Sequence, residues 1–231
     1  SHPWATRNGL AWEHVGVSSK HGHHRHPVPD EPNPPEPLGS GEELPPGYPS
    51  EWEADVVLSD GSVAHMRPIT PSDGVRLREF HAGQSEESIY LRFFAPLHEL
   101  SDRDVHRFTV VDYDERVALV ATHQDRIIGV GRYDKINDTT AEVAFNVSDH
   151  YQGKGIGSIL LEHLALVGLE AGVTRFVAEV LPQNRRMINV FREAGYNVKH
   201  RLEDGVISLS FDITPTAKST DVRFAREHRS E

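Results

Sequence analysis

Between Ala141 and Ser158 a strand pattern runs through a short turn into a glycine-rich loop and then a helix pattern, with no room for a linker. Val143, Phe145 and Val147 alternate with Glu142, Ala144 and Asn146, the period of two expected of a strand with two different faces. From Gly157 onward Ile159, Leu160, Leu164 and Val167 follow helical spacing. Three glycines and one lysine lie between, in Gln152-Gly153-Lys154-Gly155-Ile156-Gly157. Glycine permits a tight turn and removes the Cβ that would hold a ligand away. The orphan N–H groups of the helix start then face that space, with the positive end of the helix dipole behind them. Such a unit is an anion site, best suited to a pyrophosphate. The alternative on glycine spacing alone is a plain strand-to-helix turn. Neither the Walker A pattern nor Gly-x-Gly-x-x-Gly is present; the loop reads Gln152-x-x-Gly155-x-Gly157.

The chain around this unit orders itself by its breakers. Residues 1–50 hold ten of the fifteen prolines, and the run from Val28 to Pro37 can be neither helix nor central strand. Composition predicts a disordered leader over 1–50, a folded domain over 51–214, and a charged tail over 215–231, helical near 221–229. That tail ends in mid-pattern, which suggests a longer parent chain. His21, His23, His24 and His26 form a metal-binding pattern more often adventitious than functional, and no metal cofactor is expected.

Within the domain, Ala54–Leu58 and Val63–Arg67 read as a hairpin about Asp60-Gly61. Helices follow from Ser72 or Asp73 to about Gly83, over Ser85–Phe94, and after Ser101. Ser85, Glu86, Glu87, Tyr90 and Arg92 are candidates to line a substrate channel or simply a solvated helix face. Strands are expected at Arg116–His123 and Arg126–Tyr133, with Gly129 and Gly131 marking a close approach or a bulge. After the central unit come a strand at Arg175–Leu181, a helix at Arg185–Ala194, and a closing hairpin of Asn197–Leu202 and Val206–Phe211. Asn184 is a natural helix N-cap.

Charge and composition exclude several functions. The net charge of −11 argues against nonspecific nucleic-acid binding. The absence of cysteine excludes a disulfide framework, a thiolate metal site and an acyl-cysteine intermediate. No apolar run approaches a membrane span, and the simplest location is the cytoplasm.

The order of elements over about 53–213, the Gln152-x-x-Gly155-x-Gly157 loop, the strand before it, and Glu179–Asn184 with Phe191-Arg-Glu-Ala-Gly195-Tyr196 together resemble the Gcn5-related N-acetyltransferase (GNAT) superfamily. The resemblance implies an α+β fold, a mixed and mostly antiparallel central sheet flanked by helices. A narrower similarity is to bacterial protein lysine acetyltransferases that modify acyl-CoA synthetases. It rests on Ala141–Phe145, Leu91-Arg92-Phe93-Phe94 and Phe176–Met187. Such enzymes often carry a fused regulatory or synthetase-like domain.

The resemblance assigns roles. Acetyl-CoA is the donor, with no metal. Phe145, Asn146 and Val147 would hold the pantetheine arm through strand backbone, and an N–H near Phe145 would polarise the thioester carbonyl. Gln152, Gly153, Lys154, Gly155, Ile156, Gly157 and Ser158 would hold pantetheine and pyrophosphate, and Asn184 would contact pantetheine. Phe191 stands in the coenzyme-binding set where many relatives use a tyrosine to protonate the leaving thiolate. Phenylalanine cannot do so, so direct transfer without a dedicated general acid is expected.

Glu142 is the general-base candidate; the competing reading is a salt-bridged surface glutamate. A lysine ammonium has a pKa near 10.4, so freeing its amine at pH 7 costs roughly 4.6 kcal/mol. A positioned carboxylate supplies about 10²–10⁴-fold. The implied partner is an acyl-CoA synthetase-type protein, with no nucleic acid and no membrane. A small-molecule amine N-acetyltransferase and a non-catalytic acetyl-CoA sensor are the alternatives. A small-amine enzyme should enclose its acceptor, whereas a protein modifier needs an open groove.

Overall fold

Alternation along 140–147 produces a strand whose two faces meet two different helix layers. The computed structural model describes residues 44–215. Its strands are β1 (Ala54–Val57), β2 (Val63–Pro68), β3 (Arg116–His123), β4 (Arg126–Asn137), β5 (Thr140–Val147), β6 (Arg175–Val180), β7 (Lys199–Glu203) and β8 (Val206–Asp212). Its helices are α1 (Gly74–Ala82), α2 (Glu86–Phe93), α3 (Asp102–Thr109), α4 (Ile156–Glu170) and α5 (Arg185–Glu193). The strands join in one sheet in the order β1-β2-β3-β4-β5-β6-β8-β7. Every pairing is antiparallel except β5 with β6, so the expected mixed, mostly antiparallel α+β sheet is what forms. The histidines at 21–26, the leader through residue 43 and the tail helix expected at 221–229 lie outside the described residues.

One face of the sheet carries Leu119, Tyr133, Val143, Phe145, Phe176 and Phe211 against α4 and α5. Helix α4 is apolar almost all round, with Ile156, Leu160, Leu161 and Leu164 all buried, as a helix laid across a sheet must be. A buried side chain of this size contributes about 1.5–3 kcal/mol. Gly129 and Gly131 let α4 come this close. A Cβ on Gly129 would stand 2.7 Å from Ile156 Cγ2, and one on Gly131 would stand 3.0 Å from the Phe145 ring. The β3–β4 register also shifts beside Gly129, so both a bulge and a close approach are present.

The opposite face packs Ala118, Val120, Ile127 and Val130 against Leu77, Phe80 and Leu100 of the α1–α3 layer. Arg67 forks onto Asp73 at 2.6 and 2.7 Å in the interior of this layer. The Asp73 carboxylate also accepts the Thr70 N–H at 2.9 Å, closing a capping box over the turn before α1. That turn is a 3-10 helix at Pro71–Asp73, so α1 proper begins at Gly74. Ser85 and Ser101 cap α2 and α3 as their sequence positions require.

Strand β4 runs four residues past the expected Tyr133. Its extension is polar, and backbone pairing with β3 and β5 holds it rather than apolar alternation. Strand β7 begins at Lys199, two residues later than expected, and is exposed along its length. Among the described residues no helix is long and apolar enough to cross a membrane.

Candidate active site

Strands β5 and β6 pair in parallel through Thr140↔Arg175, Ala141↔Phe176 and Glu142↔Val177, and there the ladder stops. Strand β5 continues to Val147 paired only with β4, while β6 continues to Val180 paired only with β8. The two strands therefore splay, and Val143–Val147 has an open backbone edge on the β6 side. Glu142 stands at the apex of that splay.

The glycine-rich loop closes the far end of the open edge. Gly153 and Gly155 have φ of +79° and +87°, the left-handed region that other residues adopt at a cost. A Cβ on either would meet nothing within 4 Å, so backbone conformation rather than crowding calls for glycine. Gly155 is the N-cap of α4. The N–H groups of Ile156, Gly157 and Ser158 thus fall in the helix's first turn, where the ladder has no carbonyl to offer them. Gly157 serves packing instead: a Cβ there would lie 3.3 Å from Val190 Cγ2 of α5.

Three of the expected ligand-binding side chains have internal partners. The Lys154 ammonium lies 2.7 Å from the Asp60 carboxylate in the β1–β2 turn and 4.8 Å from the Tyr151 ring centroid. Gln152 donates to Asp149 at 3.0 Å and to the Val147 carbonyl at 3.4 Å. Asn184 Oδ1 accepts the Met187 N–H at 3.2 Å and so caps α5, which leaves its amide donors for another partner. Phe191 is 1% exposed, wedged between Phe145 and Phe211 at ring separations of 5.9 and 5.7 Å. It supports β5 from beneath rather than lining the open edge. Phe145 and Ile156 are buried too, so their contribution to the cleft is backbone.

Residues far apart in sequence complete the site in ways the sequence pattern did not reveal. Asp149, just after β5, accepts from Ser88 Oγ at 2.5 Å and the Ser85 N–H at 2.7 Å, fastening the start of α2 to the loop. Burial pushes the Asp149 carboxyl up, but the Ser88 hydroxyl and Ser85 N–H more than offset this and hold it below its ordinary value. Helix α2 then runs beside β5 and carries Arg92 to the neighbourhood of Glu142, whose charge favours the protonated guanidinium. Cross-strand register sets Asp134 beside Glu142 and Arg132 beside Ala144 on the same face. Continuing outward, Glu142 aligns with Val177, then Ser210, then Lys199. Glu179, Ser208 and Arg201 form a second row. These residues are half-buried or exposed, so the sheet beside Glu142 presents an open polar face. Among the described residues no cluster of His, Cys, Asp and Glu has metal-binding geometry.

Comparison with known proteins places this fold and chain in a family. The Acetyltransferase (GNAT) family model matches residues 84–196. Acetyltransferase Pat of Mycolicibacterium smegmatis is 32% identical over 164 residues, covering 69% of this chain and 49% of that protein. This chain therefore spans about half the length of that relative. The crystal structure of the GNAT domain of S. lividans PAT superposes with a TM-score of 0.69 at 52% identity, covering 71% of this chain and 99% of that domain. A cAMP-binding acyltransferase from Mycobacterium smegmatis superposes with a TM-score of 0.52 at 29% identity, over 76% of this chain and 51% of that one.

Proposed function

The chain belongs to the GNAT acetyltransferase family, and from that premise we propose that it is an acetyl-CoA-dependent protein lysine N-acetyltransferase, with an acyl-CoA synthetase-type enzyme as acceptor. The observation that carries the reading is the end of the β5–β6 ladder at Glu142↔Val177. It gives the thioester arm an edge to lie along and sets a carboxylate where that edge begins.

The roles of the residues follow. Backbone of Phe145, Asn146 and Val147 binds the pantetheine arm as an added strand would. N–H groups at the start of α4 and in the loop from Gln152 to Ser158 take the pyrophosphate. Asn184 is free to donate through its amide while it caps α5. Glu142 accepts a proton from the acceptor ammonium, directly or through one water. The neutral amine then attacks the thioester carbonyl carbon: the C–N bond forms, the C–S bond breaks, the electron pair leaves on sulfur, and the nitrogen sheds its extra proton to the departed thiolate or to water. An N–H near Phe145 stabilises the carbonyl oxygen as it gains charge. Phe191 offers no proton, and a thiol of pKa about 8.5 leaves without one.

A protein acceptor is favoured over a small amine by the open polar face running from Glu142 towards Lys199 and Arg201. The similarity to PAT and Pat proteins favours the same choice. The test is intact-mass analysis of an acyl-CoA synthetase incubated with acetyl-CoA and this protein. A gain of one acetyl mass with wild type and none with Glu142→Gln supports both acceptor class and base. Coenzyme A release with small amines but not with the synthetase would move the function to a small-amine enzyme.

A further inference from the structure

The chain carries a net charge of −11, yet guanidiniums outnumber carboxylates on the polar face around Glu142. Arg92, Arg107, Arg116 and Arg132 gather there against Asp134 and Glu142. Arg116 holds Asp134 at 3.0 Å and also donates to the Arg107 carbonyl at 2.6 Å. Asp134 is thus engaged from the far side of β4. Arg132 is 8% exposed; it donates to the Phe108 carbonyl at 2.9 Å and lies over the Phe108 ring at 4.6 Å. Burial, and after it the charge of Arg92, push the Arg132 guanidinium down to about 9, so it remains a cation at neutral pH.

Arg92 lies over the Phe93 ring at 4.8 Å, and Phe93 and Phe108 are themselves 6.3 Å apart. Two guanidiniums are therefore held on an aromatic shelf made by α2 and α3. Among the described residues Arg92 makes no hydrogen bond, so its fork of donors is open. Burying cations side by side is costly unless an anion compensates. Glu142 and Asp134 both favour the Arg92 cation and Asp134 the Arg132 cation, but Asp134 is shared with Arg116, so cations still outnumber carboxylates around this pair. Arg132 stands opposite Ala144, whose small side chain does not compete with it for space on that face. Diagonal neighbours across an antiparallel pair are about 7–8 Å apart, so this space adjoins the base.

We propose that Arg92, backed by Arg132, is a carboxylate subsite of the acceptor groove: it receives an Asp or Glu side chain within a few residues of the lysine presented to Glu142. The planar fork of Arg92 suits bidentate carboxylate recognition, and the second guanidinium behind it deepens the positive field. The inference rests on the acetyltransferase reading above and adds the chemistry of the acceptor sequence. Arg92 is thus a specificity residue rather than a proton-transfer group.

The experiment uses the full chain and two lysine peptides that differ only in Glu against Gln at the positions flanking the lysine. Acetylation kinetics and, independently, binding of each peptide to the coenzyme A-loaded protein are measured for wild type, Arg92→Gln and Arg92→Lys. Wild type should favour the Glu peptide by about tenfold in kcat/KM, carried by KM, equivalent to about 1.4 kcal/mol. Arg92→Gln should erase the preference while still acetylating the Gln peptide, and Arg92→Lys should restore part of it. Arg92-dependent preference in binding without turnover would keep the subsite and overturn the acetyltransferase reading. Equal behaviour of the two peptides with wild type, including no binding of either, would overturn the subsite. So would a preference that survives Arg92→Gln.

Discussion

Lys154, the one lysine of the glycine-rich loop, is ion-paired to Asp60 at 2.7 Å across the β1–β2 turn. The pair anchors the loop to the first hairpin, and the Ser59 N–H donates to the Lys154 carbonyl at 3.2 Å beside it. On the proposed function, a pyrophosphate arriving at the loop would compete with this resident carboxylate for the same ammonium. Hydrogen bonds from Lys154 and Ser62 hold the Asp60 carboxyl well below the usual range, so it is charged throughout the neutral region.

Removing that competitor should help the ligand. Asp60→Asn is expected to tighten acetyl-CoA binding, and Lys154→Ala to weaken it. Each change should stay within about fivefold, because solvent screens an exposed pair. Calorimetric titration at low and moderate salt measures both; a weaker complex with Asp60→Asn would mean that the pair orients Lys154 for the ligand.

Glu142→Gln should leave acetyl-CoA affinity within about twofold while lowering turnover at pH 7 by about 10²–10⁴-fold. The loss should shrink with rising pH, since an acceptor amine of pKa about 10.4 then deprotonates without help. Rates measured from pH 7 to pH 10 check this. Similar pH profiles for wild type and variant would remove Glu142 from proton transfer.

Asp73 is fully buried and holds Arg67 through both carboxylate oxygens. Asp73→Asn leaves the Arg67 cation uncompensated and should cost about 3–5 kcal/mol of folding stability. Asp55, whose pairing with His65 is largely exposed, should lose less than about 1 kcal/mol when changed to Asn. Urea unfolding of the two variants separates a buried pair from a surface one.

Asp149 links stability to acid pH. Its folded value lies below the ordinary carboxylate value, so its contribution is fully present above about pH 4. That contribution is lost as pH falls through the depressed folded value. The stability gap between wild type and Asp149→Asn should therefore be constant from pH 5 to pH 8 and close below about pH 4. Thermal unfolding across that range and into acid tests it, and a gap that widens as pH falls below about 4 would contradict the assignment.

The strand, the loop and the α4 helix were legible because their signals are local: alternation, positive-φ glycines and helical spacing all fall between Glu142 and Val167, twenty-six consecutive residues. The closing hairpin was legible from Asp204-Gly205, which takes two positive φ values as such a turn requires. The turn between β3 and β4 was harder to specify, since Gln124 and Asp125 adopt the same left-handed geometry without a glycine. The tethers of the site lay beyond sequence reasoning for a different reason. Asp149 to Ser88, Lys154 to Asp60, and Arg92 beside Arg132 each join residues distant in the chain. Nothing in either partner's own neighbourhood announces the other. Phe191 illustrates the converse: its motif position pointed to the coenzyme, and its size and lack of polarity sent it into the aromatic cluster beneath β5.

Three register pairs join β5 to β6 before the strands part. In mechanical terms the sheet is two panels on a short hinge, held in line by the apolar core beneath them and left unlaced above it. A molecule that laid its amides along Val143–Val147 would finish the weave. Its arrival would stiffen the whole sheet, and its departure would loosen both panels at once. On the proposed function, the donor site is then part of the architecture itself, and each binding and release of the donor closes and reopens a seam in the fold.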